Sequence, residues 1–349
     1  MTLVSPQTGA AGAVGVDTPS SLRAVATPGI LALGSYVPEK VLTNADLERM
    51  VETSDTWIQE RTGIRERHLR GSGETTSMMA ANAAQSALEA AGNPPIDVVL
   101  VATASPDTLF PSTACLVQRR LGLAPIPAFD LGAGCSGFAY GLTVADALIT
   151  AGRAERVLVV GAESMTALVD YTDRATCVLF GDGAGAAIVG VGTGGGVRAV
   201  WWGADGNDAD LIHYGPDPYH PDRHQGAQPA VRMHGKGTFR LAVDRMVATT
   251  RQLCARAGWS LDDVDWVVPH QANTRIIEAV AKRLNIPRER VVVNADRYGN
   301  TSAASIPLAL DEARRDGRLK TGDRVICVAF GTGSTWGGVA LEWAPQSGG

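Results

Sequence analysis

Long apolar runs are missing from this chain. No stretch approaches the ~18 residues that would cross a bilayer, although 45% of its 349 residues are hydrophobic. A basic balance is missing too: 31 Lys and Arg face 36 Asp and Glu, a formal net charge of −5. Phosphate binding needs a basic face, so a general nucleic-acid binder is excluded. Cysteines are few and unpaired in spacing, five in all with no Cys-x-x-Cys. That usage fits a reducing, cytoplasmic setting better than a disulfide framework. Residues 1–28 lack an unbroken apolar stretch, and their first basic residue is Arg23. They read as a disordered tail of Gly, Ala, Ser, Thr and Pro rather than a signal peptide.

What the chain does have is an internal repeat. "AANAAQSALEAAGNPPIDVVLVATASPD" (80–107) and "MVATTRQLCARAGWSLDDVDWVVPHQAN" (246–273) share one order: helix, Ala-Gly stop, Asp, apolar strand. Setting Asp97 against Asp265 places Ala102 opposite His270. "FDLGAGCSGFAYGLTVADALITAGRAERVLVVGAES" (129–164) and "NADRYGNTSAASIPLALDEARRDGRLKTGDRVICVAFGTGS" (294–334) continue the match. Aligning Gly152 with Gly317 puts Cys135 opposite Asn300. The chain therefore reads as two similar α/β halves, 29–195 and 196–349, each with a largely parallel sheet and helices packed on it. The stretch 203–234, rich in Pro, Gly, Asp and His, breaks the pattern and reads as a long excursion over the surface or over a site.

Cys135 stands where a strand hands over to a helix, flanked by Gly132, Gly134 and Gly137. A helix N-terminus favours thiolate, and the glycines admit a substrate to backbone N–H groups that can hold an oxyanion. Ser136 is the rival nucleophile, but it needs a base. Cys115, Cys177, Cys254 and Cys327 lie in apolar patterns and read as buried structural residues. His270 ends a strand, at the edge where open α/β sheets bind ligands. Asn300 offers N–H donors that do not titrate, suited to holding a carbonyl or enolate oxygen, although a helix cap is its ordinary role. Arg275, Lys282 and Arg283 share one helix face, either simply solvated or suited to an acidic partner.

With these residues in view, "GCSGF", "PHQAN" and "GNTSAASIP" resemble the active-site segments of the β-ketoacyl-acyl-carrier-protein synthase III family. "TSDTWIQERTGIRERH" (53–68), "TDRATCVLFGDGAGAAI" (172–188) and "ALDEARRDGRLKTGD" (309–323) extend the resemblance over about residues 29–345. It implies a thiolase-like, five-layered αβαβα fold with two pseudo-symmetric halves, and a homodimer. It implies an acyltransferase that loads Cys135 from an acyl-coenzyme A or acyl-carrier-protein thioester, with no cofactor beyond the thioester substrate and no metal. Malonyl-acyl-carrier protein would then lose CO₂ while His270 and Asn300 hydrogen-bond its thioester oxygen, and the carbanion would attack the acyl-Cys. By the same resemblance Trp57, Arg61 and Arg174 would clasp coenzyme A, and Asn273 and Gly235 would line the pantetheine channel. Phe180, with Phe110 reaching over from the second subunit, would border the acyl pocket. The amides of Cys135 and Thr332 would form the oxyanion hole, and Arg275, Lys282 and Arg283 would dock the carrier protein.

The pattern departs from the family in three places. "GTGSTW" (331–336) replaces a turn that often carries Phe, leaving space around Ser334, a substrate-side residue; Thr332 can donate if its φ is negative. Lys236 stands where a pantetheine-binding Asn is common. His213, His220, His224 and His234 dot the excursion, with spacing that matches no standard metal signature. These changes leave an alternative: passing the acyl group to an alcohol or amine, with His270 as general base. A thiolase proper would want a second cysteine where Ala329 and Phe330 stand.

Overall fold

Strand segments such as "VVLVA" and "RVLVVGAES" are apolar on both faces, which obliges them to be covered on both sides. The computed structural model describes residues 27–192, 194–217, 219 and 228–345, and it covers them in that way. The expected tail lies outside the described residues as far as residue 26. Pro28, assigned to that tail, instead opens the first strand, because its backbone pairs with Val191.

The first sheet runs, in spatial order, Pro28–Tyr36, Asp182–Val191, Arg156–Ser164, Val98–Ala102 and Ala128–Leu131. Its first two pairings are antiparallel and its last two parallel. The second sheet repeats the order and the sense with Gly196–Ala204, Thr335–Glu342, Arg324–Gly331 and Trp266–Pro269. A parallel bridge from Val267 to Val291 stands in for its fifth strand.

The helices Gly137–Thr150 and Ser305–Arg315 fill the layer between the sheets. Thr76–Ala90 and Thr113–Arg120 cover the outer face of the first sheet, and Gly235–Ala257 with Thr274–Leu284 covers the second. Strand periodicity sorts the side chains: Val157 and Val159 point into the central layer, Leu158 and Val160 outward. Phe138 and Leu142 from one central helix meet Ile306 and Leu310 from the other, between inner-face residues of both sheets. Among the described residues, no helix is long and apolar enough to cross a membrane.

Asp97 and Asp265 perform the same task in the two sheets. The N–H of Asp97 donates to Arg156 O at 3.0 Å, and its carboxylate accepts from Arg156 N–H at 2.9 Å. Asp265 does the same with Arg324, at 2.9 and 2.8 Å. Both central helices stop at a left-handed glycine, Gly152 (φ 67) and Gly317 (φ 70). Their starts differ, since one has 14 residues and the other 11. Cys135 therefore sits in the 3₁₀ turn Gly134–Ser136 that feeds its helix, whereas Asn300 lies before the turn Ser302–Ala304.

Cys177, Cys254 and Cys327 are buried, but Cys115 is exposed, contrary to expectation. Its helix covers the edge of the sheet, and its thiol reaches only Ala128 O, at 3.7 Å. Phe138 is fully buried where both sheets and both central helices converge. Phe138→Ala should cost about 3–5 kcal/mol of stability, read by urea denaturation.

Candidate active site

The two sheets end on one cavity, whose floor holds Cys135, His270, Asn300 and Ser302. The described part of the 203–234 excursion builds a wall of it. Ile212–Tyr214 pairs antiparallel with Val231–Met233, and both strands line the cavity.

Cys135 is held by close backbone contact. A Cβ on Gly331 would lie 2.7 Å from Cys135 N and 2.9 Å from Ser136 N, so only glycine lets that strand end rest on the nucleophile turn. A Cβ on Gly134 (φ 50) would come 3.0 Å from Thr332 N, which brings that amide beside the cysteine turn. Positive φ occurs outside glycine only at Asn93, Asn285 and Ser302 among the described residues, so Thr332 needs no glycine. Ser136 is buried and its hydroxyl donates to Thr335 O at 3.2 Å, which removes it as a rival nucleophile. The expected depression of the Cys135 thiol is overturned. Burial pushes it up to about 12, against a smaller opposing effect of the Ser302 hydroxyl, so the resting group is a neutral thiol.

His270 follows the strand Trp266–Pro269, and its N–H donates to Val328 O at 2.8 Å. Gln271 pins this corner: its Nε2 donates to Pro269 O and Val292 O, and its Oε1 accepts from Asn294 and Ala295 N–H. Burial lowers His270 to about 3, so its ring is neutral. Its Nδ1 lies 2.7 Å from Ser305 Oγ, which already accepts from Gln271 N–H at 3.3 Å. Among the described residues the Ser305 hydroxyl has no other acceptor, which assigns its proton to Nδ1 and the ring proton to Nε2. His270 presents a donor.

Asn300 is fixed by its backbone, with N–H donating to Leu179 O at 2.8 Å and O accepting from Gly181 N–H at 3.1 Å. Its Oδ1 accepts from Ser302 N–H at 2.9 Å, which leaves the Nδ2 protons as a second donor. Ser302 (φ 48) is held in that backbone region by Glu163, whose Oε1 accepts from Ser302 Oγ at 2.9 Å. Glu163 is fully buried and also accepts from Ser105 Oγ and Ala104 N–H. Desolvation raises its carboxyl above the usual range.

The outer residues fall into three groups. Phe180, bridged to Asn300, lines the cavity, as does Asn273, which caps the Thr274–Leu284 helix. The guanidinium groups of Arg61 and Arg174 lie 5.8 and 5.0 Å from the centre of the Trp57 ring, beyond the cavity lining. Gly235 is exposed at a helix start, and Phe110 is exposed with Leu109. Arg275 and Lys282 are exposed, whereas Arg283 pairs with Asp244. Ser334 does not line the cavity; it is buried because its hydroxyl donates to Asp208 Oδ2 at 2.8 Å. His213 lines the cavity, His234 is exposed, and His220 and His224 lie outside the described residues. Among the described residues, no three His, Cys, Asp or Glu side chains gather as metal ligands.

Sequence reasoning missed Glu163, Ser302, Ser305 and Gln271. A signal existed for Glu163, the one charged residue inside "VLVVGAES" after Arg156. Gly331→Ala should displace the nucleophile turn and slow alkylation of Cys135 or its loading by a thioester about 100-fold, read by mass spectrometry.

A family model described as 3-oxoacyl-[acyl-carrier-protein (ACP)] synthase III matches residues 129–206, and its C-terminal counterpart matches 254–343. The curated β-ketoacyl-[acyl-carrier-protein] synthase III of Methylococcus capsulatus is 49% identical over 316 residues, 90% of this chain and 98% of that one. The solved 3-oxoacyl-[acyl-carrier-protein] synthase III of Aquifex aeolicus matches with a TM-score of 0.85 at 46% identity, over 90% of this chain and 100% of that one. The priming β-ketosynthase of the R1128 polyketide pathway matches with a TM-score of 0.86 at 36% identity, over 93% and 98%. The chain belongs to the β-ketoacyl-acyl-carrier-protein synthase III family of thiolase-like condensing enzymes.

Proposed function

We propose that this enzyme primes fatty-acid or polyketide synthesis by decarboxylative condensation on Cys135. The sulfur attacks the carbonyl of an acyl-coenzyme A or acyl-carrier thioester. The amides of Cys135 and Thr332 hold the oxyanion, and the departing thiolate takes up a proton. Malonyl-acyl-carrier protein then enters, and its C–C bond to the carboxylate breaks to release CO₂. The enolate oxygen receives hydrogen bonds from His270 Nε2–H and Asn300 Nδ2–H, and the carbanion displaces Cys135 sulfur to give the β-ketoacyl product.

The observation that carries this reading is the pair of donors beside the nucleophile, each oriented by a partner that occupies its acceptor atom. Transfer to an alcohol or amine would need His270 as a base, and its Nδ1 lone pair is already taken by Ser305. The stack of Trp57 with Arg61 and Arg174 supports a coenzyme A clasp outside the cavity. Gly235 and Asn273 suit the pantetheine path between them. Leu109 and Phe110, 91% and 84% exposed, support a homodimer in which Phe110 closes the other subunit's pocket. The exposed Arg275 and Lys282 support carrier-protein docking, with Arg283 at their margin. The free cysteines suit a cytoplasmic enzyme.

Loading Cys135 and then adding malonyl-acyl-carrier protein should release CO₂ in step with product; an acyl-enzyme that never releases CO₂ would overturn condensation. That step should show no inflection near pH 6.5, because His270 stays neutral down to about 3. Arg275→Glu with Lys282→Glu should raise KM for the carrier substrate about tenfold, leaving loading from an acyl-coenzyme A within about twofold.

A further inference from the structure

The guanidinium of Arg67 is fully buried behind the cavity lining, and no carboxylate is among its hydrogen-bond partners. Arg67 lies in the strand Glu66–Leu69, which pairs with Lys40–Thr43. Its Nη1 donates to Leu42 O at 3.2 Å and to Asn44 Oδ1 at 2.8 Å, and its Nη2 donates to Val178 O at 2.7 Å. Its Nε–H has no partner among the described residues. Burial lowers Arg67 to about 10, so the cation persists at neutral pH. A buried charge held by neutral oxygens is a poor source of stability, and an apolar side chain of similar volume would avoid the desolvation penalty. What a planar guanidinium supplies instead is a fixed fork, which sets the spacing between oxygens of separate segments.

One of those segments is the support of Asn300. Val178 precedes Leu179, whose O accepts from Asn300 N–H at 2.8 Å, and Gly181 N–H donates to Asn300 O at 3.1 Å. The stem of Arg67 packs against the same pairing. A Cβ on Gly181 and a Cβ on Gly299 would each lie 3.1 Å from Arg67 Cβ, so one glycine from each side of the Phe180–Asn300 bridge rests on it. Asn44 anchors the fork at its other end. Its Nδ2 donates to Ile64 O and to Asp55 Oδ1, both at 2.8 Å, and Asp55 opens the helix that bears Trp57. We propose that Arg67 is the positioning residue that sets where Asn300 presents its Nδ2 donors to the enolate oxygen. It acts through backbone: the fork fixes residues 178–181, and that segment fixes Asn300. This inference rests on the condensation reading given above.

The test compares Arg67→Lys, Asn300→Ala and their double variant. CO₂ release from the loaded enzyme is followed against malonyl-acyl-carrier-protein concentration, with iodoacetamide alkylation of Cys135 run alongside. An ammonium keeps the charge but cannot hold Asn44 Oδ1 and Val178 O together as a fork does. Arg67→Lys should therefore lower kcat for CO₂ release about 30-fold and leave KM within about threefold. Alkylation should stay within about twofold, because the Cys135 turn rests on Gly331 and Thr335 and not on residues 178–181. Adding Arg67→Lys to Asn300→Ala should leave release within about twofold of Asn300→Ala alone. A further loss in the double variant as large as that of Arg67→Lys alone would overturn the proposal, since Arg67 would then act independently of Asn300. Unchanged kcat in a folded Arg67→Lys, or a raised KM at unchanged kcat, would overturn it as well. Equal losses of loading, alkylation and CO₂ release would do the same, by showing that Arg67 supports only the fold. If Arg67→Lys gives no cooperative thermal melt, Asn44→Ala carries the same comparison. It frees one arm of the fork and should lower kcat about fivefold. An unaltered enzyme that forms the acyl-Cys yet never releases CO₂ would instead defeat the condensation reading.

Discussion

Two sheets share one layer of helices, and everything at the reactive centre follows from how dry that shared layer is. Phe138, Leu142, Ile306 and Leu310 fill it against the inner faces of both sheets. The turns that feed its two helices carry Cys135 and Ser302, so the chemistry begins where the central layer meets the cavity. A polar group there must find its partner inside the protein, because water is not available to supply one. The hydrogen bonds of Gln271, Ser305, Ser302 and Glu163 are the answer to that requirement, and they orient the groups that do the chemistry.

Dryness also sets the charge states. Cys135 is held as a thiol and His270 as a neutral ring, both by desolvation. A thiolate–imidazolium pair would require two ions where the environment disfavours each, and its mutual attraction would have to offset both penalties. Two neutral donors, His270 Nε2–H and Asn300 Nδ2–H, carry no such penalty. They strengthen only when an oxygen beside them gains charge, which is the condition for lowering a barrier rather than tightening ground-state binding.

Much of this was legible in the chain. The repeat register from Asp97 and Asp265 and from Gly152 and Gly317 predicted equivalent elements, and the same backbone contacts occur in both sheets. Cys135, His270 and Asn300, which line one cavity, stood out because each stands at a strand or helix end marked by Gly or Pro. The charge state of Cys135 was not legible, since sequence reveals the helix start but not the depth of burial around it. Glu163 and Ser302 were missed for a related reason. They lie 139 positions apart, and only folding of the two halves against each other brings them together. Cys115 was misread because an alternating apolar helix pattern does not reveal which turn reaches past the edge of the sheet.

The departure at "GTGSTW" acquires a role once the excursion is seen as a cavity wall. Thr332 Oγ1 donates to Ile212 O at 2.6 Å, and Ser334 Oγ donates to Asp208 Oδ2 at 2.8 Å. Asp205 N–H donates to Ser334 O at 2.8 Å as well. Three hydrogen bonds thus tie the turn beside Cys135 to the segment that carries Ile212–Tyr214. A bulky aromatic at 334 would fill space without making the Asp208 bond. The serine instead links the position of the Thr332 amide to the position of the cavity wall. A displacement of this wall is carried to the turn whose amide lies beside the Cys135 turn, through the same short stretch of backbone.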